Sequence, residues 1–407
     1  MDALTFLERH TRKPWQKFLF CFIFLLPIWG NALSRLAKHG WWLNDFDALV
    51  CGSANLAKGL SPYGLHPVCE GLRPAVYVYA PQIGQAFAPL VNLFGLPGSR
   101  LAYLVILLPM MALLLWYALI KALPQAPWQF RLMTLAAIAG SAMACGNIGL
   151  VLHGLVILAA LNIKQSRWPF VIAVALSALI KPVMLTYLIV LLYENRPLLA
   201  RVRTILISAC IGLAGFIALM LTAGPFSEDW HQSLNAVVIQ QQPGIGYFSY
   251  TSLLGLSTSS PITLAGLGLF MIVIALSGLV LAEWTKVTAT ERIVIGLGIA
   301  QLLNPRLMDY DMLALAPFMA TVVMLARPLG AKVFTWVSWV FAGTLIGCIV
   351  INIAEIELIH RAPVTVFIYC GLTIFVAARI AWPHSERIKG WLRNPAPILQ
   401  DLLAQRI

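Results

Sequence analysis

ITLAGLGLFMIVIALSGLVLAEW, residues 262–284, decides the fold class, because it is apolar almost throughout and long enough to cross a bilayer. Similar apolar runs recur along the chain of 407 residues, of which 60% are hydrophobic and only 11% are charged. The mean hydropathy is +0.83. In soluble domains, about a quarter of all residues are charged. The sequence therefore predicts an all-α, polytopic membrane protein.

The apolar runs predict about eleven to thirteen transmembrane helices. Two longer polar stretches, 35–76 and 224–261, interrupt them. We expect one integral membrane domain over 1–382 and a cytoplasmic or membrane-surface tail over 383–407. The candidate spans are 18–34, 77–97, 101–121, 131–145, 148–163, 168–181, 183–194, 204–223, 262–284, 292–304, 309–326, 333–352 and 363–381.

The net charge of +12 comes from basic residues that lie mainly in short turns between the apolar runs. This distribution is typical of cytoplasmic loops and does not indicate nucleic-acid binding. We therefore expect the N-terminus to be cytoplasmic and the two long polar loops to face the outside. The orientation deduced from the N-terminus and the orientation deduced from the charges of the later loops disagree by one membrane crossing. Either 77–97 or the pair of runs around Gly146-Asn147 is then not a complete span.

The stretch NDFD at residues 44–47 places two carboxylates just after the first apolar run. Asn44 is a good N-cap, and Asp47 falls at the third helical position, where an acid caps the backbone. The pattern predicts a short amphipathic helix lying on the membrane. Because Asp45 has the weaker structural explanation, it is the better candidate for a general base, with Asp47 as the second catalytic candidate.

The same predicted topology brings further polar groups to the outer face, where a charge at the membrane edge indicates a functional site. Lys181 in ALIKPVML is either a lysine reaching towards the interface or a cation that holds a lipid phosphate. Arg306 in NPRLMDYD suits phosphate binding or an ion pair with the neighbouring acids. His153 lies in an apolar run and is expected to be structural, whereas His231 lies in the second loop.

Several short motifs occur in the order found in one enzyme family. The first loop ends in Gly-x-Ser-Pro-Tyr, and VYVYAPQIGQAFAPL, GNIGLVLHGLVILAAL, ALIKPVML and TSLLGL follow. Together they resemble glycosyltransferase family 87 and the related GPI mannosyltransferase I group over roughly residues 40 to 325. The matching positions are Asp45, Gly59, Pro62, Tyr63, Tyr77, Tyr79, Pro81, Pro89, Leu90, Gly146, Asn147, Lys181, Ser252 and Leu253.

The resemblance implies the GT-C membrane fold and transfer of a sugar, mannose or a related hexose, from a polyprenyl-phosphate donor to a lipid or glycan acceptor. It implies an inverting reaction without a metal or other cofactor, in which the acid matching Asp45 deprotonates the acceptor. The chain departs from the family at 304–311, where members often carry a histidine-bearing segment. The expected substrate-binding residues are Lys181, Arg306, Tyr63, Tyr77, Tyr79, Asn147, Asp309 and His231.

Two other functions remain open from the sequence. A transporter or flippase of a lipid-linked sugar would carry paired inverted repeats, and none is evident. An O-antigen-type polymerase is expected to have arginine-rich outer loops, but the two long loops hold only Arg35 and Arg73.

Overall fold

A computed structural model describes residues 1–37, 42–65, 67–138, 143–241, 244–353 and 361–393, without the side chains at positions 36, 238–241, 309, 352, 353, 361, 362, 391 and 392. Within these ranges the chain is helical and has no strand; one isolated bridge joins Cys69 to Leu72. The all-α class predicted from the sequence is confirmed.

The α-helices are numbered here in chain order. They are α1 Ala3–His10, α2 Pro14–Phe24, α3 Leu26–Ala37, α4 Asn44–Ala57, α5 Pro81–Trp116, α6 Trp128–Met133, α7 Ile148–Leu161, α8 Trp168–Ile180, α9 Leu198–Leu221, α10 Ser227–Ser233, α11 Tyr247–Leu253, α12 Pro261–Glu283, α13 Ala289–Leu302, α14 Met312–Leu325, α15 Ala331–Ile353, α16 Arg361–Ala381 and α17 Ser385–Arg393. The longer 3₁₀ and π segments are Pro182–Tyr193, Tyr117–Lys121 and Leu234–Gln241.

Six helical stretches in the described ranges are long and apolar enough to cross a membrane, or seven if α2 and α3, bent by 57°, form one span. Three shorter apolar helices, 148–161, 168–180 and 182–193, account for part of the difference from the eleven to thirteen helices expected. The chain is thus a multi-pass membrane protein. The predicted span 131–145 includes positions 139–142, and the tail includes 394–407, which lie outside the described residues.

The predicted spans 77–97 and 101–121 form one long helical stretch, Pro81–Lys121, with a sharp break at Gly95. Gly95 has φ 65° and ψ 179°, a conformation that is essentially restricted to glycine. The part before the break has about 14 residues, or roughly 21 Å of helix, which is shorter than the ~30 Å hydrocarbon core. This length favours 77–97 as the incomplete span.

Helix α4 corrects two predictions about NDFD. The helix is not a surface helix, because every residue from Phe46 to Ser53 is buried, with Phe46 stacked on Tyr103 of α5 at 3.8 Å between ring centres. Its N-cap is Leu43 and not Asn44. Tertiary hydrogen bonds replace the side-chain cap: the N–H of Leu43 donates to Ala144 O at 2.9 Å. Packing against α5, which the local sequence does not reveal, decides the burial of this helix.

Helices α13 and α14 form the most enclosed part of the molecule. A run of ten residues in α13, Ile293 to Leu302, is buried, as is α14 from Met312 to Val323. Close approach depends on glycine, since a Cβ on Gly298 would overlap the Phe318 side chain. By contrast, only 11% of the apolar stretch of α9 is buried. The segment 304–311, which connects α13 to α14, therefore emerges from the centre of the fold.

Candidate functional site

A cavity of about 400 Å³ opens where several helix ends meet. Its walls come from the first turns of α4 and α7, the extended segment 75–79, the break between α8 and Pro182–Tyr193, and the connection from α13 to α14. Its polar lining residues are Asp45, Tyr79, Asn147, His153, Lys181, Thr186, Tyr187, Gln301, Asn304, Arg306, Tyr310 and Asp311. Five of the predicted site residues are thereby brought together: Asp45, Tyr79, Asn147, Lys181 and Arg306.

Asp45 lies in the first turn of α4 and its carboxylate lines the cavity. The backbone N–H of Asp45 donates to Cys145 O at 3.0 Å, which ties this turn to the residues just before α7. Its Oδ1 accepts from Asn44 Nδ2 at 3.1 Å, and its Oδ2 accepts from Asn147 Nδ2 at 2.7 Å. The Cys145 side chain is a third hydrogen-bond partner of this carboxylate. A carboxylate has about four acceptor positions, so the oriented group keeps one for a proton.

Asn147 connects the Asp45 carboxylate to the Lys181 ammonium. It is the N-cap of α7, and its Oδ1 accepts from the N–H of Gly149 at 2.8 Å. The same Oδ1 accepts from Lys181 Nζ at 2.7 Å, while the amide nitrogen donates to Asp45. One side chain, fixed by a helix cap, therefore sets the separation of Asp45 and Lys181.

Lys181 ends α8 in an extended conformation, φ −132° and ψ 98°, because the following Pro182 cannot continue the helix. Its ammonium donates to Asn147 and, at 3.2 Å, to the hydroxyl of Tyr310, whose ring lies 4.5 Å from Nζ. The glycine at 149 provides the space, since a Cβ there would lie 2.6 Å from Nζ. Lys181 is thus a cation inside the cavity with neutral hydrogen-bond partners.

Arg306 lies on the connection after α13, and the backbone of this connection is held from the second polar loop. The N–H of Ile245 donates to Leu307 O at 2.7 Å, and that of Phe248 donates to Pro305 O at 3.0 Å. A Cβ on Gly246 would lie 2.6 Å from Asn304 O, so the two backbones approach closely. The GIGYF sequence at 244–248 therefore holds the backbone of the segment that carries Arg306.

The cavity also contains a chain of polar side chains that sequence reasoning missed. His153 Nε2 lies 2.6 Å from Asp311 Oδ1, and His153 Nδ1 lies 2.7 Å from the Tyr187 hydroxyl, which accepts in turn from Gln301. The predicted structural role of His153 is incomplete, since the residue also lines the cavity. One sequence feature could have indicated this position. His153 follows Gly149 by four residues, and residues four apart lie on the same face of a helix.

The rest of the cavity wall is apolar, which gives the cavity two chemically different parts. The apolar lining residues are Ala48, Ala75, Val76, Val78, Ile180, Pro182, Val183, Met184, Leu234, Val237, Phe248, Pro305 and Met308. Such a lining suits a ligand that has a charged group and a hydrocarbon part.

Four predicted site residues do not line the cavity. Asp47 is fully buried, with Oδ1 2.9 Å from Arg100 Nε, and burial raises its pKa to about 6 although Arg100 lowers it. Tyr77 packs on Gly52 and donates to Ala80 O at 3.1 Å. Tyr63 and His231 are also placed outside the cavity lining.

Tyr63 and His231 make contacts of other kinds. The Tyr63 hydroxyl donates to Tyr79 O at 2.7 Å and so supports the cavity wall from behind. His231 is exposed and stacks on Trp230, with 5.6 Å between ring centres. The side chain of Asp309 lies outside the described residues. Across the described part of the chain, no group of three or more His, Cys, Asp or Glu side chains is arranged to hold a metal ion.

Comparisons with family models, curated proteins and solved structures find no match to this chain.

Proposed function

We propose that this protein is an inverting glycosyltransferase of the GT-C type, related to glycosyltransferase family 87, which transfers a hexose from a polyprenyl-phosphate donor. The observation that carries the proposal is the shared side chain of Asn147. It holds the Asp45 carboxylate and the Lys181 ammonium on opposite ends of one amide, inside a cavity that also contains Arg306. A base and a phosphate-binding cation at a fixed separation are what direct displacement at a sugar carbon requires.

In the proposed reaction, Asp45 accepts the proton of an acceptor hydroxyl. The acceptor oxygen forms a bond to the anomeric carbon, and the bond from that carbon to the phosphate oxygen breaks with its electron pair on the phosphate. Lys181 and Arg306 stabilise the charge that develops on the leaving phosphate. Attack opposite the leaving group inverts the configuration at the anomeric carbon, and the proton remains on Asp45 until it is lost to solvent.

The apolar part of the cavity supports a lipid-linked donor. Val183, Met184 and Phe248 line the same cavity as Lys181, so a phosphate at the ammonium would place the attached hydrocarbon against these side chains. A volume of about 400 Å³ is within the range of small-molecule sites. We further propose that the sugar is mannose or a related hexose, that the acceptor is a lipid or glycan, and that the site faces the outside of a bacterial inner membrane.

The test is sugar transfer by the purified protein from a radiolabelled polyprenyl-phosphate hexose to a lipid extract. Replacing Asp45 by Asn keeps the shape and the hydrogen-bond acceptor for Asn147 but removes the base. We expect the rate to fall by about 10²- to 10⁴-fold, the usual contribution of a positioned general base. Glu70→Gln is the matched control, since it neutralises an exposed acid in the same loop, away from the cavity lining.

Transfer that survives Asp45→Asn at the wild-type rate would remove Asp45 from the mechanism. If the wild-type protein consumes no donor but moves the labelled lipid across vesicle membranes, the protein is a transporter of a lipid-linked sugar and the glycosyltransferase proposal is wrong.

A further inference from the structure

The polar chain at the inner wall of the cavity has a defined direction when His153 is neutral. Gln301 Nε2 donates to the Tyr187 oxygen, the Tyr187 hydroxyl donates to His153 Nδ1, and His153 Nε2 donates to Asp311 Oδ1. The second carboxylate oxygen of Asp311 accepts from the N–H of Met308 at 3.0 Å. Every hydrogen-bonding position of the neutral imidazole is thus used, and the chain ends at a side-chain amide.

This chain can accept one more proton by reversing part of its direction. With a proton on Nδ1, His153 donates to the Tyr187 oxygen, and the Tyr187 hydroxyl turns towards Gln301. The amide of Gln301 then presents its Oε1 as acceptor, which requires only a flip of the amide group. Because Asp311 remains against Nε2 at 2.6 Å, the resulting imidazolium faces a carboxylate. In the protonated state both imidazole protons and the Tyr187 hydroxyl therefore remain hydrogen-bonded.

The charges that line the cavity explain why such a proton would be taken up. Among the described side chains that line the cavity, and with His153 neutral, the carboxylates of Asp45 and Asp311 balance the cations of Lys181 and Arg306. Asp311 interacts electrostatically with both cations. A phosphodiester adds one negative charge to this balanced set, and an uncompensated charge is costly in a buried site.

The titratable groups around His153 come from each neighbouring element. Asp311 contacts its ring from 304–311 and Tyr187 contacts it from 182–193. Lys181, at the end of α8, interacts electrostatically with Asp311 and donates to Tyr310. Helix α5 presents the side chain of Met110 to the next position, Gly154, and so contributes an apolar contact there. An imidazole in water gains its proton near neutral pH, whereas free carboxyl, phenol and ammonium groups titrate far from it.

We propose that His153 takes up a proton from solvent when a phosphodiester binds at Lys181 and Arg306. Gln301, Tyr187 and Asp311 are positioning residues that accommodate the proton on Nδ1. This inference rests on the proposed function, because it takes the ligand to be a lipid phosphodiester.

The test is isothermal titration calorimetry of the full-length protein with a farnesyl methyl phosphodiester, in buffers that differ in ionisation enthalpy. A phosphodiester is chosen because a phosphomonoester would itself exchange a proton near pH 6. The slope of the binding heat against the buffer ionisation enthalpy gives the number of protons taken up. At pH 7.5 we expect a clearly positive slope, up to about one proton per ligand. We expect a slope near zero for His153→Gln.

Tyr187→Phe is the second variant, because it removes the nearer acceptor for the proton on Nδ1, at 2.7 Å against 3.3 Å for the Gln301 amide, and should reduce the slope. It decides the question if His153→Gln does not fold. Tyr369→Phe is its matched control, since Tyr369 is a fully buried tyrosine on α16, outside the cavity lining. This control should keep the wild-type slope.

Binding of the phosphodiester without proton uptake overturns this inference and leaves the proposed function standing. An unchanged slope in His153→Gln, or in Tyr187→Phe if the first variant does not fold, also overturns it. Absence of binding to the wild-type protein overturns both proposals.

Discussion

The cavity and a second group of charges, here called the ion cluster, differ in how their charges are paired. In the ion cluster, Arg201 Nη1 lies 2.6 Å from Glu283 Oε1, and Arg292 Nη1 lies 2.9 Å from the same oxygen. The two arginines also donate to the backbone, Arg201 to Leu192 O at 2.8 Å and Arg292 to Tyr193 O at 3.2 Å. Both arginines of the ion cluster are therefore paired with a shared carboxylate and with backbone carbonyl groups.

The 3₁₀ segment Pro182–Tyr193 joins the two regions. Lys181 precedes it at the cavity, and the carbonyls used by the ion cluster are at its other end, about 24 Å away at ~2.0 Å per residue. At the cavity end the ammonium donates to two neutral groups, Asn147 and Tyr310, and it borders an open volume. A buried charge alone therefore does not distinguish a binding site from a structural ion pair. A cation with neutral hydrogen-bond partners beside a cavity is the better candidate for a binding site.

Replacing Lys181 by Met is the strongest test of this difference. Met has a similar length, but it removes the charge that stabilises the leaving phosphate in the proposed reaction. We expect the turnover number for sugar transfer to fall by about 10²- to 10³-fold, as for loss of one charge-stabilising group. Because none of the described carboxylates lies at hydrogen-bond distance from the ammonium, thermal stability should decrease less than it does when a paired charge is lost. A variant that unfolds at lower temperature and keeps its turnover would assign Lys181 a structural role instead.

Glu283→Gln should have the opposite effects. The substitution leaves Arg201 and Arg292 without their shared carboxylate, and the loss of one partner of a largely buried pair is destabilising. Since the Glu283 side chain is 32% exposed, we expect a loss of about 2 kcal/mol, between the values for exposed and buried pairs. Thermal unfolding followed by fluorescence gives the change. Sugar transfer measured below the unfolding range should be unaltered, and a large fall there would link the ion cluster to the reaction.

The sequence was sufficient for the features that depend on composition and on local chain breaks. Continuous apolar runs predicted the helical membrane class. Lys181, before a proline, was recognisable because helix termination is a local property. Asn147 was expected only from the resemblance to the family motif, and its role as a helix cap comes from the structure. Their proximity in space followed only from the packing of α7 against the end of α8.

Features that depend on distant partners could not be predicted. The burial of α4 and the role of Asp47 are decided by Arg100, which is 53 positions further along the chain. His153 was interpreted as structural because an apolar run surrounds it. Only the fold shows that Asp311, 158 positions away, lies against its ring.

Gly149→Ala tests whether the position of the ammonium matters as well as its charge. The added Cβ would lie 2.6 Å from Lys181 Nζ and 2.9 Å from Asn147 Oδ1, so the lysine side chain must move away. We expect turnover to decrease about tenfold, corresponding to about 1.4 kcal/mol of lost transition-state stabilisation. Gly154→Ala on the same helix is the control, because its Cβ would meet only the flexible Met110 side chain, at 2.9 Å from the sulfur. Equal losses in the two variants would show a general effect on α7.

We expect the smallest effect on sugar transfer for Asp47→Asn. This variant tests whether an acid beside the cavity takes part in the reaction. Asp45 and Asp47 are two positions apart and therefore about 200° apart around α4. Asp47 pairs with Arg100, just as Glu283 pairs with the arginines of the ion cluster. Sugar transfer should therefore continue at the wild-type rate. Its consequence should appear in stability.

Burial raises the folded-state pKa of Asp47 from 3.8 to about 6. Because the folded protein then binds more protons than the unfolded chain between these values, this group favours folding below pH 4, and its contribution is lost as the pH rises through 6. Asn cannot titrate, so the variant should lack this part of the pH dependence of the unfolding temperature between pH 4 and 7, whereas Glu70→Gln should retain it. Identical profiles for Asp47→Asn and the wild type would mean that the pair with Arg100 keeps Asp47 ionised throughout. A fall in sugar transfer would instead give both acids of NDFD a part in the reaction.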